Sequence, residues 1–259
     1  MQEARPLMAG KRGLVMGVAN DRSIAWGIAQ AAAGAGAALA FTYQGEALEK
    51  RVRPLAESVG ADLVLPCDVS DEASMDALFA AVGARWGGLD FVVHAIAFSD
   101  KEELKGKYVD TSRANFVQTM LISCYSFTEV CRRAAALMPN GGSLLTLTYY
   151  GAEKVMPHYN VMGVAKAALE CTGRYLAAEM GADKIRVNLI SGGYLRTLAA
   201  SAVGGTDSMA ERSAERSPLK RGVEGGDVGG TAVYLVSDLS AGVTGETIYV
   251  DCGVNTIGV

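Results

Sequence analysis

Along this chain, short runs of aliphatic and β-branched residues alternate with longer stretches whose apolar positions recur at helical spacing. The short runs predict strands at 13–17, 37–43, 62–66, 89–95, 142–148, 185–190 and 247–250. The longer ones predict helices near 23–35, 46–59, 71–86, 112–138, 160–180 and 224–237. Phe91-Val92-Val93 and Leu144-Leu145-Thr146-Leu147 are apolar in succession rather than alternating, as expected of parallel strands covered by helices on both faces. No Pro/Ser linker or low-complexity block interrupts the pattern. The reading is one α/β domain over 1–259, a doubly wound parallel sheet of about seven strands with helices on both faces. Such folds bind ligands beyond the carboxyl ends of their strands, and the search for chemistry begins there.

Composition narrows the function. The chain has 259 residues, of which 31 are Gly and 40 Ala, so small residues let its elements pack closely. Lys and Arg number 24 against 28 Asp and Glu, a net charge of −4 that offers no basic field for nucleic acid or anionic lipid. Cys67, Cys124, Cys131, Cys171 and Cys252 are odd in number and lack C-x-x-C spacing, so they read as buried thiols in a reducing compartment. Cys124 and Cys131, seven apart, fall on one helix face as packing residues. His94 and His158 have no ligands at metal spacing, and no metal site is expected. Neither a secretory signal nor a membrane span is legible, which places the protein in the cytoplasm.

The first strand leads into Gly17-Val18-Ala19-Asn20-Asp21-Arg22-Ser23-Ile24-Ala25-Trp26-Gly27. This lacks G-x-G-x-x-G spacing. It still offers glycines, Gly17 and Gly27, where backbone could approach a pyrophosphate, and Ser23 as a cap for a helix whose amino end favours anions. An ordinary capped strand-to-helix turn is the alternative. Strand two ends at Tyr43-Gln44 with no cation before Lys50 to neutralise a 2′-phosphate, which favours NADH over NADPH. After strand three, Asp68 could accept from an adenine amino group with Val69 walling the ring; alternatively, Asp68 caps the next helix. Strand four ends in His94-Ala95-Ile96-Ala97, small residues suited to run under a ribose, with His94 itself a buried structural histidine.

Beyond strand five the chain reads Tyr149-Tyr150-Gly151 and then Tyr159-Asn160-Val161-Met162-Gly163-Val164-Ala165-Lys166. A Tyr and a Lys on the helix after the fifth strand mark short-chain dehydrogenase/reductases, usually at Tyr-x3-Lys. Here the spacing is Tyr-x6-Lys, and Met162 occupies the usual tyrosine position. Tyr159 and Lys166 lie nearly two turns apart, about 10 Å of rise, on nearly one face. Together with Phe41-Thr42-Tyr43-Gln44, Arg196-Thr197-Leu198-Ala199 and Thr244-Gly245-Glu246, these segments closely resemble the bacterial NADH-dependent type I enoyl-[acyl-carrier-protein] reductases. The likeness runs from about Leu7 to the C-terminus.

The resemblance implies a Rossmann-type fold, a homotetramer, and reduction of the trans-2 double bond of an enoyl thioester carried by acyl-carrier protein in fatty acid synthesis. Tyr159 would donate to the developing enolate oxygen, Lys166 would hold the nicotinamide ribose, and Tyr149 would line the acyl pocket or assist protonation, with Tyr150 left as packing. NADH would meet Gly17, Ser23, Ile24, Gln44, Asp68, Val69, Ile96, Lys166, Leu195, Arg196, Thr197, Leu198 and Ala199. Substrate would meet Ser99, Tyr149 and Tyr159. The long segment 192–217 suggests a substrate-binding lid, against the alternative of a surface helix pair. Helices 112–138 and 160–180 are candidate subunit interfaces, and Arg196, Lys220 or Arg221 would receive the acidic carrier. Family members commonly carry Pro at position 194, Ser and Gly at 95 and 97, Asn at 158 and Gly at 252, where this chain has Tyr194, Ala95, Ala97, His158 and Cys252. A carbonyl reductase and a cofactor-binding relative without catalysis are the competing readings.

Overall fold

The computed structural model describes residues 5–195, 197 and 206–258. Seven strands form one sheet: β1 Arg12–Met16, β2 Ala38–Tyr43, β3 Leu63–Pro66, β4 Phe91–His94, β5 Gly142–Thr148, β6 Ile185–Gly192 and β7 Thr247–Val250. All neighbours pair in parallel, in the order β3-β2-β1-β4-β5-β6-β7. The chain builds outward from β1 to β3, then crosses to β4 and builds the other way. The crevice between the carboxyl ends of β1 and β4 is therefore the switch point.

Adjacent strand residues go to opposite cores, which explains the unbroken apolar runs. Leu14, Val92, Leu144 and Leu189 face one layer, with Phe79, Phe127 and Leu169. Their neighbours Val15, Val93, Leu145 and Ile190 face the other, with Trp26, Ile28, Val228 and Leu235. The first layer is built from α3 (Glu72–Trp86), α5 (Arg113–Met120), α6 (Ser126–Ala135) and α7 (Asn160–Met180), and the second from α1 (Ile24–Gly34), α2 (Glu46–Ser58) and α9 (Gly225–Val236). Two further helices, α4 (Lys101–Leu104) and α8 (Thr206–Arg216), lie near the carboxyl ends of the strands. Each fully buried Phe or Leu contributes on the order of 1.5–3 kcal/mol.

Several expectations need correction. The helix expected over 112–138 is α5 and α6 joined by a π-helical turn, Leu121–Tyr125, and it ends at Ala135. In that turn the Ser123 hydroxyl bonds both the Phe98 carbonyl and the Phe98 N–H at 2.9 Å, so the wound-out turn reaches the loop after β4. Cys124 and Cys131 remain buried across it. Cys171 is only partly buried, unlike the other four cysteines.

Gly27 serves packing rather than pyrophosphate approach, because a Cβ there would meet the Gly225 carbonyl oxygen at 2.7 Å. Gly229 is held just as closely against the Gly27 carbonyl oxygen, at 2.6 Å, so α1 and α9 touch backbone to backbone. Among the described residues no helix is long and apolar enough to cross a membrane. Gly27→Ala should cost about 1–3 kcal/mol, since only backbone can yield. Gly34→Ala, with open space around it, should be neutral or stabilising by up to about 1 kcal/mol. Thermal or urea unfolding of the two variants checks the contrast.

Candidate active site

At the switch point Gly17 has φ +97°, and a Cβ on it would stand 2.1 Å from the Ala95 carbonyl oxygen. The loops after β1 and β4 thus come into contact, and only glycine allows it. Ser23 occupies the position before α1 but does not cap it. Its hydroxyl instead accepts from the N–H groups of Ala19 at 2.9 Å and Asn20 at 3.1 Å, ordering the loop. The amino end of α1 keeps its orphan donors, which suits an anion.

The two alternatives for Asp68 separate clearly. Asp71 caps α3, accepting from the Ala73 N–H at 3.0 Å. Asp68 accepts from the Ser70 N–H and hydroxyl and, at 2.9 Å, from the Gln44 side-chain amide. The Ser70 hydroxyl bond is the main reason its carboxyl lies below the usual range. Gln44 and Asp68 are thereby one unit at the ends of β2 and β3. Val69 and Ile96 pack on the first core layer, and Ile24 and Leu195 on the second.

At the other end of the crevice α7 is tied to β5. The Lys166 ammonium donates to the Leu147 carbonyl at 2.8 Å, and Thr148 donates to the Glu170 carboxylate, one turn further along, at 2.7 Å. Burial lowers the Lys166 pKa to about 8, against the opposing charges of Cys124 and Glu170. Tyr159 stands just before α7, its ring edge-on to Tyr149 with centroids 5.0 Å apart. Burial pushes the Tyr149 hydroxyl up to about 12, and it raises Tyr159 further. Both are neutral donors at physiological pH. Gly151 makes the slot for the Tyr159 ring, since a Cβ there would meet ring atom Cδ1 at 2.4 Å. Gly163 in turn lets the Gly151 backbone close in. Met162 is buried in a small cluster with Leu104, Val161 and Tyr159 and is a packing residue.

A cavity of about 650 Å³ opens beside Tyr149, walled by His158, Gly193, Tyr194 and Met209. Tyr159 lies behind Tyr149 rather than in the wall. Tyr150 also reaches the cavity, while its ring packs edge-on to Tyr249 at 6.3 Å.

The family model for enoyl-(acyl carrier protein) reductase matches residues 17–255. The chain belongs to that family. It is 60% identical to enoyl-[acyl-carrier-protein] reductase [NADH] 1 of Rhizobium meliloti, covering 100% of this chain and 95% of the relative. The enoyl-(acyl-carrier-protein) reductase of Anaplasma phagocytophilum, solved in complex with NAD, superposes with a TM-score of 0.95 at 57% identity, over 99% of this chain and 98% of that one. The Bacillus cereus reductase, solved with NADP+ and an indole naphthyridinone, gives 0.96 at 50% identity, over 98% and 99%.

His158 and Cys252 sit at φ 58° and 56°, in the left-handed region that Asn and Gly enter more readily than most residues. Ser99 does not line the cavity; its hydroxyl accepts from Thr119 at 2.9 Å and donates to Asn115. Arg221 is held by Asp227 at 2.6 and 2.8 Å, and Lys220 donates to the Glu215 carbonyl, so neither faces the cavity. Among the described residues the cations that do are Lys105, Arg212 and Arg216, which sequence reasoning missed because α4 is four residues long and α8 lay within an expected lid. Arg196, Leu198 and Ala199 lie outside the described residues, and Thr197 is described with its N–H donating to the Leu195 carbonyl. The Gly151 slot and the Thr148–Glu170 bond had no sequence signal, since each depends on what the fold brings opposite.

His94 is the buried structural histidine expected. Its ring bonds the hydroxyls of Thr146 at 3.0 Å and Ser126 at 2.9 Å, and burial drops its pKa to about 3. Below pH 6.5 the unfolded chain binds a proton that folded His94 refuses, so stability falls as pH falls toward 3. Near pH 4.5–5.5 this one group should contribute a slope of about 1.4 kcal/mol per pH unit. His94→Gln should remove that slope in urea unfolding measured at pH 6.5, 5.5 and 4.5.

Proposed function

We propose that this chain is an NADH-dependent enoyl-acyl-carrier-protein reductase of fatty acid synthesis, acting in the cytoplasm as a homotetramer. The observation that carries the reading is the set of buried groups at the carboxyl edge of the sheet. Lys166 is fixed by Leu147, Tyr149 and Tyr159 stand edge to face, and a cavity opens beside Tyr149.

The residues present fit the dinucleotide. The uncapped amino end of α1 suits the pyrophosphate, with Ser23 and Ile24 at its start and Gly17 beneath. The Gln44–Asp68 pair lies where a doubly wound fold brings the adenosine. Ile96, Val69 and the segment from Leu195 to Ala199 would complete the cofactor contacts, and Lys166 would hold the nicotinamide ribose. NADH, when bound, supplies the hydride that adds to the β-carbon of the enoyl thioester.

That addition places negative charge on the thioester oxygen. The Tyr159 hydroxyl donates to it, and burial makes such a donor worth more than in water. The Lys166 ammonium adds a positive charge nearby. Tyr149 lines the acyl channel, and Ser99 orders the loop after β4 through Thr119 and Asn115. Residues 198–205 of the expected lid, 192–217, lie outside the described residues, and helix α8 within it contributes Met209 and Arg212 to the wall. Lys105, Arg212 and Arg216 form a basic rim that suits an acidic carrier protein. Exposed Phe116, Val117, Leu121 and Tyr125 on α5 and its π turn, with Val164 and Tyr175 on α7, present the apolar face for assembly.

NADH oxidation with a crotonyl thioester, with a ketone and with neither tests the reading. Turnover of the thioester alone is expected, and turnover of the ketone alone overturns it. Tyr159→Phe should lower kcat by about 10²–10³ while NADH binding persists. Lys166→Ala should weaken NADH binding, and wild-type affinity should decline as pH rises through about 8, where Lys166 loses its proton. Fluorescence titration of NADH reads both.

A further inference from the structure

We propose that Asn160 is a positioning residue for the Tyr159 hydroxyl, locking the start of α7 onto the 103–106 segment; this rests on Tyr159 being the oxyanion donor. The Asn160 side-chain amide points its two hydrogens at three carbonyl oxygens, of Glu103 at 3.3 Å, Leu104 at 3.0 Å and Gly106 at 2.8 Å. The first two are carbonyls at the end of α4, which a four-residue helix cannot satisfy itself, and the third lies two residues beyond it. One side chain thus closes one helix end and fixes the beginning of another.

Three observations tie this lock to the chemistry. First, Tyr159 is flanked by two residues in left-handed conformation, His158 at φ 58° and Asn160 at φ 37°. Backbone of that kind persists only where its surroundings over-determine it. Second, Tyr159, Val161, Met162 and Leu104 form a cluster separate from both main cores, so the packing that steadies Tyr159 comes partly from the segment Asn160 holds. Third, that segment is itself anchored. The Glu103 carboxylate accepts from the Ser112 N–H at 2.9 Å, its hydroxyl at 2.8 Å and the Asn115 amide at 3.2 Å, at the start of α5. Lys105, between two of the bonded carbonyls, lines the cavity. The lock runs from α5 through 103–106 to the residue adjoining Tyr159.

A donor displaced by about 1 Å forfeits on the order of 10²-fold in rate, so loosening Asn160 should act on kcat. Asn160→Gly removes the amide and relieves the left-handed backbone together. Its melting temperature should stay within a few degrees of wild type, while kcat for a crotonyl thioester falls about 10-fold or more and the NADH dissociation constant changes less than about twofold. Asn160→Asp has the same shape and carries the test by itself if the glycine variant does not fold. Its charged carboxylate faces three carbonyls, and protonation restores one donor. Its kcat relative to wild type should therefore rise as pH falls from 8 to 5.5, the ratio being taken because His158, Glu103 and Lys105 stand near position 160 in both proteins. A native kcat in Asn160→Gly, or a pH-independent ratio in Asn160→Asp, overturns the proposal provided Tyr159→Phe is impaired. If Tyr159→Phe keeps native turnover, the oxyanion role of Tyr159 fails instead.

Discussion

Burial of the parallel sheet on both faces is the constraint from which the rest follows. Because Leu144 and Leu145, or Leu189 and Ile190, must each find a separate core, helices have to cover both sides. Backbone donors and acceptors within the strands are then committed to the ladder, and free polar groups survive only where strands end. The reversal of winding between β1 and β4 opens a crevice at that edge. Gly17 and Ala95 touch there, so its width is set by the absence of one Cβ.

The same constraint shapes the electrostatics. A lysine drawn to the sheet edge loses its hydration, and Lys166 is kept in place by the Leu147 carbonyl with Glu170 one turn away. Tyrosines at the same edge lose water too, which holds them as neutral donors. In the proposed reaction a developing negative charge would meet groups oriented beforehand, in surroundings where little solvent competes for it. His94, at the end of β4, shows the opposite use of burial: its two ring nitrogens are spent on hydroxyls, and it stays neutral as part of the scaffold.

Much of this was legible in the chain. Continuous apolar runs announced the two-sided sheet, and all seven strands were placed to within about two residues. Tyr159, Lys166 and Tyr149 were picked out by motif, and the structure brings them to one edge. What failed to show was whatever depends on an opposing surface. Gly27 looked like a phosphate glycine, but its missing side chain is filled by the backbone of Gly225. Ser23 looked like a helix cap, but its hydroxyl turns back to the loop because Ala19 and Asn20 present their N–H groups to it. Asp68 looked like a possible cap of the next helix, but Asp71 holds that place at the start of α3.

By itself, then, the sequence determined which residues are buried, in what period, and which chemical groups stand just after each strand, because burial periodicity and side-chain chemistry are local properties of the chain. Tertiary structure alone decided which glycine serves packing, which cations reach the cavity, and how Asn160 closes over a helix end 54 to 57 residues earlier. Those outcomes depend on the close approach of distant segments to within a few ångströms, and no local pattern encodes the far side of such a contact.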